Sequence, residues 1–381
     1  MSNLTSQLLL SLPAILTLEL TPACNNRCAG CSNVYTDRMS PPLPFSAWRE
    51  MLAPYMPEMA QLRLSGGEPT LHPEFFELLD FTSAYDAAVT VFTNARWRDP
   101  AQFVEQFARR ESPNLAGLLV SLHGAEAHSH EAFTGVSGSF AETCANIRLA
   151  AAQGISVMLS TILTHQSWNQ IEQVLELAQT LGARSVAFNR YLGTPLPGIE
   201  PTKDELRAAQ IAIERLIAIG SPVKYGVGVP QCFTLNHSGG CLAGVAYATL
   251  DPWGNLRPCN HSPTVVGSLR GHPLRELWHS EPMNAWRALM PNECLACTAY
   301  SICHGGCRAI QELRADQRDP LRQQPLADYK SARETKEIPA NARPVPNYHI
   351  RQEPFGYILL GRGQVIPVAK EAKRVLDALV D

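Results

Sequence analysis

The chain has 381 residues, of which 45% are hydrophobic and 18% charged, with a formal net charge of −3. That balance suits a folded protein with more than one sizeable core and excludes a disordered chain. No basic run points to a nucleic-acid partner, and no stretch of about 18 uninterrupted apolar residues exists to span a membrane.

The apolar run from Leu8 to Leu20 has no Lys or Arg before it and is interrupted by Pro13 and Glu19. It reads as a lead-in and first strand, Ile15–Leu20, rather than a signal peptide. Eleven Cys without a secretion signal point to a reducing cytoplasm and metal binding, not disulfides. Strand-like and helix-like runs then alternate as far as Arg190. Further strands are expected at Gln61–Ser65, Ala88–Thr93, Gly117–Leu122, Ile155–Ile162 and Arg184–Asn189. Helices are expected at Ser46–Met56, Pro73–Tyr85, Ala101–Arg109, Ser139–Gln153 and Ser167–Leu181. Pro73 fits a first helical turn, and Gly154 and Gly182 fit helix stops. This alternation implies parallel strands joined by right-handed crossovers, with ligands at the strands' C-terminal ends. The expected fold class is α/β: a partial (β/α)6 parallel barrel over residues 1–230.

Three thiols, Cys24, Cys28 and Cys31, follow the first strand within eight residues. Thiolates so spaced can grip one iron–sulfur cluster and leave one iron without a protein ligand. Zinc is the alternative, but it usually needs a fourth nearby Cys or His, and none lies between Leu16 and Pro69. After the second strand comes Ser65-Gly66-Gly67-Glu68-Pro69. Paired glycines let a backbone approach a ligand closely, and an adjacent carboxylate accepts bonds from an ammonium; a plain turn is the alternative. Asn94 after the third strand, Ser121 ending the fourth, and Ser160 and Arg190 on the fifth and sixth stand at the same ends. All are candidate polar contacts, although polar residues after strands also cap helices and fix turns. His123, His128 and His130 gather after the fourth strand, where a solvated loop is expected in preference to a metal site. Cys144, among apolar helix positions, reads as a packed core thiol.

Thr202–Ile219 reads as a helix, with Thr202 as N-cap and Glu205 at the capping-box position. Beyond it Gly and Pro become frequent and seven Cys follow: Cys232, Cys241, Cys259, Cys294, Cys297, Cys303 and Cys307. Tyr247–Cys259 reads as a hairpin turning at Asp251–Asn255. Pro273–Trp278 and Glu281–Met290 look helical. The Cys294-x2-Cys297-x5-Cys303-x3-Cys307 run points to metal, with zinc again the alternative. A small Cys-rich domain is thus expected at 231–323, a linker at 324–347, and a short hairpin-plus-helix tail at 348–381. In that tail Ile350–Val368 would turn at Gly361–Gly363, and Lys370–Val380 would be helical.

The Cys24/Cys28/Cys31 spacing together with Gly66–Pro69 resembles the radical S-adenosylmethionine (SAM) enzymes over most of the first 230 residues. The resemblance implies a SAM-binding [4Fe-4S] cluster on the three thiols. It also implies SAM contacts from Gly66, Gly67, Glu68, Pro69, Asn94 and Ser121, with Ser160 and Arg190 as further candidates. Gly30 departs from the family pattern, which usually has an aromatic residue before the third Cys. The Cys241-x12-Gly254-x4-Cys259 spacing and the following Cys run resemble the SPASM domain, the auxiliary-cluster domain of radical SAM maturases. The family's interleaved ligation would give Cys232, Cys241, Cys259 and Cys307 to a first auxiliary [4Fe-4S] cluster and Cys294, Cys297 and Cys303 to a second. The family's final Cys is missing, and His304, Asp316, Asp319, Asp328 and His349 are conceivable substitutes. The run Arg351–Gly356 faintly resembles leader-peptide-binding modules, although a tail packed on the main body is the favoured reading.

The resemblance implies an enzyme that cleaves SAM reductively to a 5′-deoxyadenosyl radical, abstracts hydrogen and, with auxiliary clusters as electron acceptors, leaves its substrate oxidised. The implied substrate is a peptide or protein, receiving a crosslink, thioether or dehydrogenation. A porphyrin or other small molecule is the alternative substrate. An electron donor such as flavodoxin or ferredoxin is implied as a partner. A non-catalytic iron–sulfur carrier would have no need of Gly66–Pro69. A zinc scaffold would carry no iron or sulfide.

Overall fold

A computed structural model describes residues 9–33, 39–226, 228–234, 240–314, 318–327, 348–361 and 363–372. Seven parallel strands follow one another in chain order: β1 (Ile15–Glu19), β2 (Gln61–Ser65), β3 (Ala88–Thr93), β4 (Leu115–Ser121), β5 (Val157–Leu163), β6 (Ser185–Arg190) and β7 (Val223–Tyr225). Helices α1 (Phe45–Leu52), α2 (Phe75–Ser83), α3 (Pro100–Ala108), α4 (Ala127–Thr134), α5 (Ser139–Ala152), α6 (Ile171–Thr180) and α7 (Lys203–Ala218) lie in the connections. Their ends follow local chemistry. Asp99 accepts the Gln102 N–H at 3.0 Å, with Pro100 in the first turn of α3. Thr202 and Glu205 form the expected capping box on α7. Gly135 ends α4 in the left-handed conformation, with φ of 68°.

The strands alternate with period two. Leu62 and Leu64, Val89 and Val91, Leu118 and Val120, and Val157 and Leu159 are fully buried and join one core with the helices' apolar faces. The opposite face carries Thr17, Glu19, Arg63, Ser65, Ser121 and Ser160. Polar groups are thereby collected on one side of a parallel sheet and brought to its C-terminal end.

The sheet does not stop at the expected six strands. Besides β7, strand β8 (Tyr247–Leu250) pairs parallel with β1 on the other side, with Ile15 opposite Tyr247. The hairpin expected at 247–259 is present, as β8 turning into β9 (Asn255–Arg257), and it extends the main sheet. With β10 (Gly267–Ser268) the order is β10-β9-β8-β1-β2-β3-β4-β5-β6-β7. Short helices α8 (Leu274–Trp278), α9 (Glu281–Arg287), α10 (Tyr300–Cys303) and α11 (Arg308–Leu313) carry the chain through the Cys-rich region. Buried Arg257 on β9 meets buried Glu19 at the end of β1 at 2.5 Å, binding this region to the first strand.

The tail forms a three-stranded antiparallel sheet, β11 (His349–Glu353), β12 (Gly356–Gly361) and β13 (Gln364–Ala369), where a two-stranded hairpin was expected. Ile358 and Leu360 pack with Leu10, Ala14 and Ala60. Arg351 donates to the Leu12 carbonyl at 2.7 Å and to Glu353 at 2.7 Å, and Glu353 accepts from the Ser11 N–H. The tail therefore rests against the start of β1, at the end of the strands remote from the Cys loop. Of the helix expected at Lys370–Val380, the described part is one 3-10 turn, Lys370–Ala372.

Candidate active site

The loop leaving β1 carries Cys24, Cys28 and Cys31, and several of its other groups are tied down. Arg96, just after β3, donates to the Asn25 carbonyl at 2.7 Å, to Asn26 Oδ1 at 2.8 Å and to Glu142 at 2.8 Å. The Arg27 and Ala29 N–H groups donate to the carbonyls of Thr134 and Phe133 at the end of α4, at 2.9 and 2.8 Å. Of the three sulfurs, Cys24 Sγ accepts from the Asn26 N–H at 3.4 Å. Burial, then Cys31 and Cys24, push the Cys28 thiol up to about 12, the repulsion expected of thiols aimed at one shared space.

The Gly66–Pro69 turn braces this loop. The Gly67 N–H donates to the Thr21 carbonyl at 2.7 Å, and the Glu68 N–H to the Ala23 carbonyl at 2.8 Å. A Cβ on Gly67 would fall 2.1 Å from the Ala23 carbonyl oxygen, and Gly66 has φ of 135°. The close approach that demands glycine is thus to the backbone entering the Cys loop. Asn33, two residues past Cys31, donates to the Gly66 carbonyl.

Glu68 has different partners from those its position suggests. Its side chain is fully buried and accepts bonds from the Asn94 N–H at 2.7 Å, Thr93 Oγ1 at 2.8 Å and Thr70 Oγ1 at 2.7 Å. Burial raises its pKa, opposed by those same bonds. The carboxylate joins the ends of β2 and β3. Asn94, held there, donates to Asn25 Oδ1 at 2.7 Å and approaches Cys24 Sγ at 3.9 Å. Ser121 and Ser160 stand side by side on β4 and β5, and Ser160 accepts from Asn189 at 3.1 Å. Arg190 is likewise otherwise engaged: its two terminal nitrogens pair with Asp319 at 2.8 and 2.9 Å, both side chains buried. Asp319 is therefore not a spare cluster ligand. Asp316 and Asp328 lie outside the described residues, and His349 is on the tail sheet.

The expected solvated histidine loop is corrected. His123 and His130 are buried and stacked with centroids 5.7 Å apart; His128 alone is exposed. Residues 127–134 form α4, which turns His130 inward beside Phe140. Cys144 is buried in α5.

The C-terminal thiols fall into two groups that differ from the interleaved assignment. Cys232, Cys294, Cys297 and Cys303 line one cavity of about 450 Å³. The Gln323, Leu326 and Gln231 N–H groups donate to the sulfurs of Cys232, Cys297 and Cys303 at 3.2, 3.3 and 3.4 Å. Cys241, Cys259 and Cys307 instead share an apolar cluster with Leu192, Tyr247 and Trp286. Arg190 faces Cys307 from β6. His261 follows Cys259 by two residues; its Nδ1 is buried without a hydrogen-bond partner, and burial lowers its pKa to about 4. Among the described residues no three His, Cys, Asp or Glu converge tightly enough to hold a single metal ion. The cavity between four thiols has room for a larger group. Sequence reasoning missed Arg96, Thr93, Asn33 and His261, none of which belongs to a recognisable spacing.

A thiol-bearing loop on the first strand of a parallel α/β sheet, braced by the turn after the second and joined to a second thiol-rich region, defines an iron–sulfur protein built around two kinds of centre. The profile of the Radical SAM superfamily matches residues 18–178, and that of the SPASM iron–sulfur cluster-binding domain matches residues 241–307. The chain is 26% identical to an AdoMet-dependent heme synthase of Methanosarcina barkeri, covering 84% of this chain and 97% of that one. It is 28% identical to the mycofactocin maturase MftC of Mycobacterium ulcerans, covering 79% and 85%. In fold it is similar to Streptococcus suis SuiB bound to its precursor peptide SuiA, with a TM-score of 0.67, 18% identity and coverage of 80% and 73%. The chain carries a radical SAM domain and a SPASM domain. It is a radical SAM enzyme, whose cofactors are SAM and [4Fe-4S] clusters.

Proposed function

We propose that this enzyme oxidatively modifies a peptide, forming a crosslink, a thioether or a dehydrogenated residue, in a reducing cytoplasm. Cys24, Cys28 and Cys31 hold the SAM-binding cluster, and Cys232, Cys241, Cys259, Cys294, Cys297, Cys303 and Cys307 serve auxiliary clusters. When bound, the cluster and SAM supply an adenosyl radical able to take hydrogen from an unactivated carbon. The chain's own residues position and exclude water. Asn94, Ser121 and Ser160 present hydrogen-bonding groups toward SAM. Gly66–Pro69 form the wall of its pocket, with Glu68 fixing Asn94 and Thr93. Arg190, tied to Asp319, closes the side next to Cys307. A flavodoxin or ferredoxin delivers the initiating electron.

The observation that carries this reading is the joining of the SAM-type loop to two further thiol groups through one continuous sheet. A substrate radical left beside an electron acceptor ends as an oxidised product. The curated relatives favour a peptide: mycofactocin maturase MftC and the PqqA peptide cyclases lie alongside the heme synthases. The test is anaerobic turnover with SAM, a reductant and short peptides encoded beside the gene. A peptide product lighter by a pair of hydrogens, formed with 5′-deoxyadenosine, supports the reading. Turnover of a porphyrin and of no peptide overturns it in favour of the heme-synthase-like alternative.

A further inference from the structure

We propose that the C-terminal region builds one four-thiol cluster site, from Cys232, Cys294, Cys297 and Cys303, and one mixed site in which His261 joins Cys241, Cys259 and Cys307 as the fourth ligand. The inference rests on the reading that this region holds iron–sulfur clusters, and it assigns their ligands.

The four-thiol site follows from the cavity. Its lining brings Cys232 to Cys294, Cys297 and Cys303, although Cys232 precedes the nearest of them by 62 positions in the chain. Backbone N–H groups already point at three of the four sulfurs. Such bonds favour thiolates and tune a cluster's potential. Cys232 thus takes the place of the missing final Cys, and the incomplete set is the other one.

At that other set the thiols are Cys241, Cys259 and Cys307, gathered in one apolar cluster. The His261 N–H bonds the Cys259 sulfur, so the two residues share one turn of backbone. The ring hydrogen-bonds the Leu192 backbone and lies near Arg190, and both residues also adjoin Cys307. Its Nδ1 is buried and makes no hydrogen bond. A buried acceptor without a donor carries a desolvation cost that a metal would offset. Nδ1 donates its lone pair to iron, and the ring proton stays on Nε2. His304, whose Nδ1 bonds the Cys241 carbonyl at 3.0 Å, is the competing ligand through its Nε2, and the variants below separate the two.

The test uses the full chain with Cys24, Cys28 and Cys31 changed to Ala, so that only auxiliary clusters remain. Anaerobically reconstituted and reduced protein, labelled with 15N-histidine, is examined by pulsed paramagnetic resonance. A histidine nitrogen coupling is expected in this parent, lost in His261→Cys while the iron content is kept and the potential falls. No histidine coupling, or a coupling that survives His261→Cys and disappears in His304→Ala, overturns the mixed site. Iron counting tests the partition. The parent should hold about eight iron atoms. Cys232→Ala and Cys294→Ala should each lose the same cluster, with no further loss in the double variant. Additive loss in Cys232→Ala/Cys294→Ala, with none beyond Cys307→Ala in Cys232→Ala/Cys307→Ala, returns Cys232 to the other site. A parent with no iron would instead overturn the cluster reading itself.

Discussion

The ring of Tyr191, one residue past β6, lies against Gly30 so closely that a β-carbon at position 30 would fall 2.1 Å from Tyr191 Cε2. Tyr191 is buried and donates from its hydroxyl to the Thr194 carbonyl at 3.0 Å. The aromatic residue that the Cys motif lacks at position 30 is thus matched by one arriving from the far side of the sheet. Gly30→Phe should overpack this contact, at about 1–3 kcal/mol, and lower iron retention at the first site. Pairing it with Tyr191→Ala should recover part of both losses. Urea unfolding and iron counts on the two singles and the double would show the coupling, and strict additivity would show that the contact is incidental.

Glu68 is expected to act through Asn94. Glu68→Gln keeps the shape but replaces one acceptor by a donor, which must face either the Asn94 N–H or the Thr93 and Thr70 donors. SAM binding should weaken by roughly 1.5–3 kcal/mol, the scale of a bond to a charged group. Thr93→Ala should weaken it in the same direction, and the pair should be less than additive. Equilibrium binding of SAM to the reduced enzyme measures all three. Independent effects would mean that Glu68 acts on SAM directly.

His130 gives the barrel an acid-sensitive point. Its Nδ1 accepts from the His123 N–H at 3.1 Å, so its proton sits on Nε2. Burial, then Arg96, lowers its pKa from 6.5 to about 4. Between those values the unfolded chain binds the proton and the folded chain does not. Stability is therefore full above pH 6.5 and falls toward pH 4, by on the order of 3 kcal/mol. His130→Gln should flatten that slope relative to wild type. Denaturant midpoints at pH 7 and pH 4.5 would reveal it, and identical slopes would exclude the effect.

Asp319 holds a buried cation beside Cys307. Asp319→Ala should destabilise by about 3–5 kcal/mol, because Arg190 would be left charged and unpaired. Arg190→Met with Asp319→Leu should restore most of that stability. Thermal unfolding of the three variants checks this; a mild effect of Asp319→Ala alone would show that water reaches the guanidinium.

Much of the fold was legible because its signals are local. Alternating apolar positions and the Thr202–Glu205 pair mark elements that depend on their own neighbours. Strand β7 escaped notice because Val-Lys-Tyr is too short to show a period. The parallel partner of β8 is β1, over 200 residues earlier in the chain, and nothing near Tyr247 encodes it. The same limit governs the site. Cys24, Cys28 and Cys31 were readable from spacing, and Thr70 two residues after Glu68 was a local hint that the carboxylate caps its own turn. The Arg190–Asp319 pair and the company kept by Cys232 arise from chain folding over long distances. His130 was misread because α4 was not expected, and a helix turns an apparently polar loop inward.

The pairing of β8 with β1 bears on how such a protein can be divided. Removing everything after residue 230 would strip β1 of its neighbour on one side and Glu19 of its cation. The strand that leads into the Cys loop would then present a bare row of backbone donors and acceptors, a template for sticking to other chains. The shortened protein should come out of cells as insoluble material rather than as a working half. The second module is therefore also a splint for the first, and the two are expected to be inherited, expressed and unfolded as one piece.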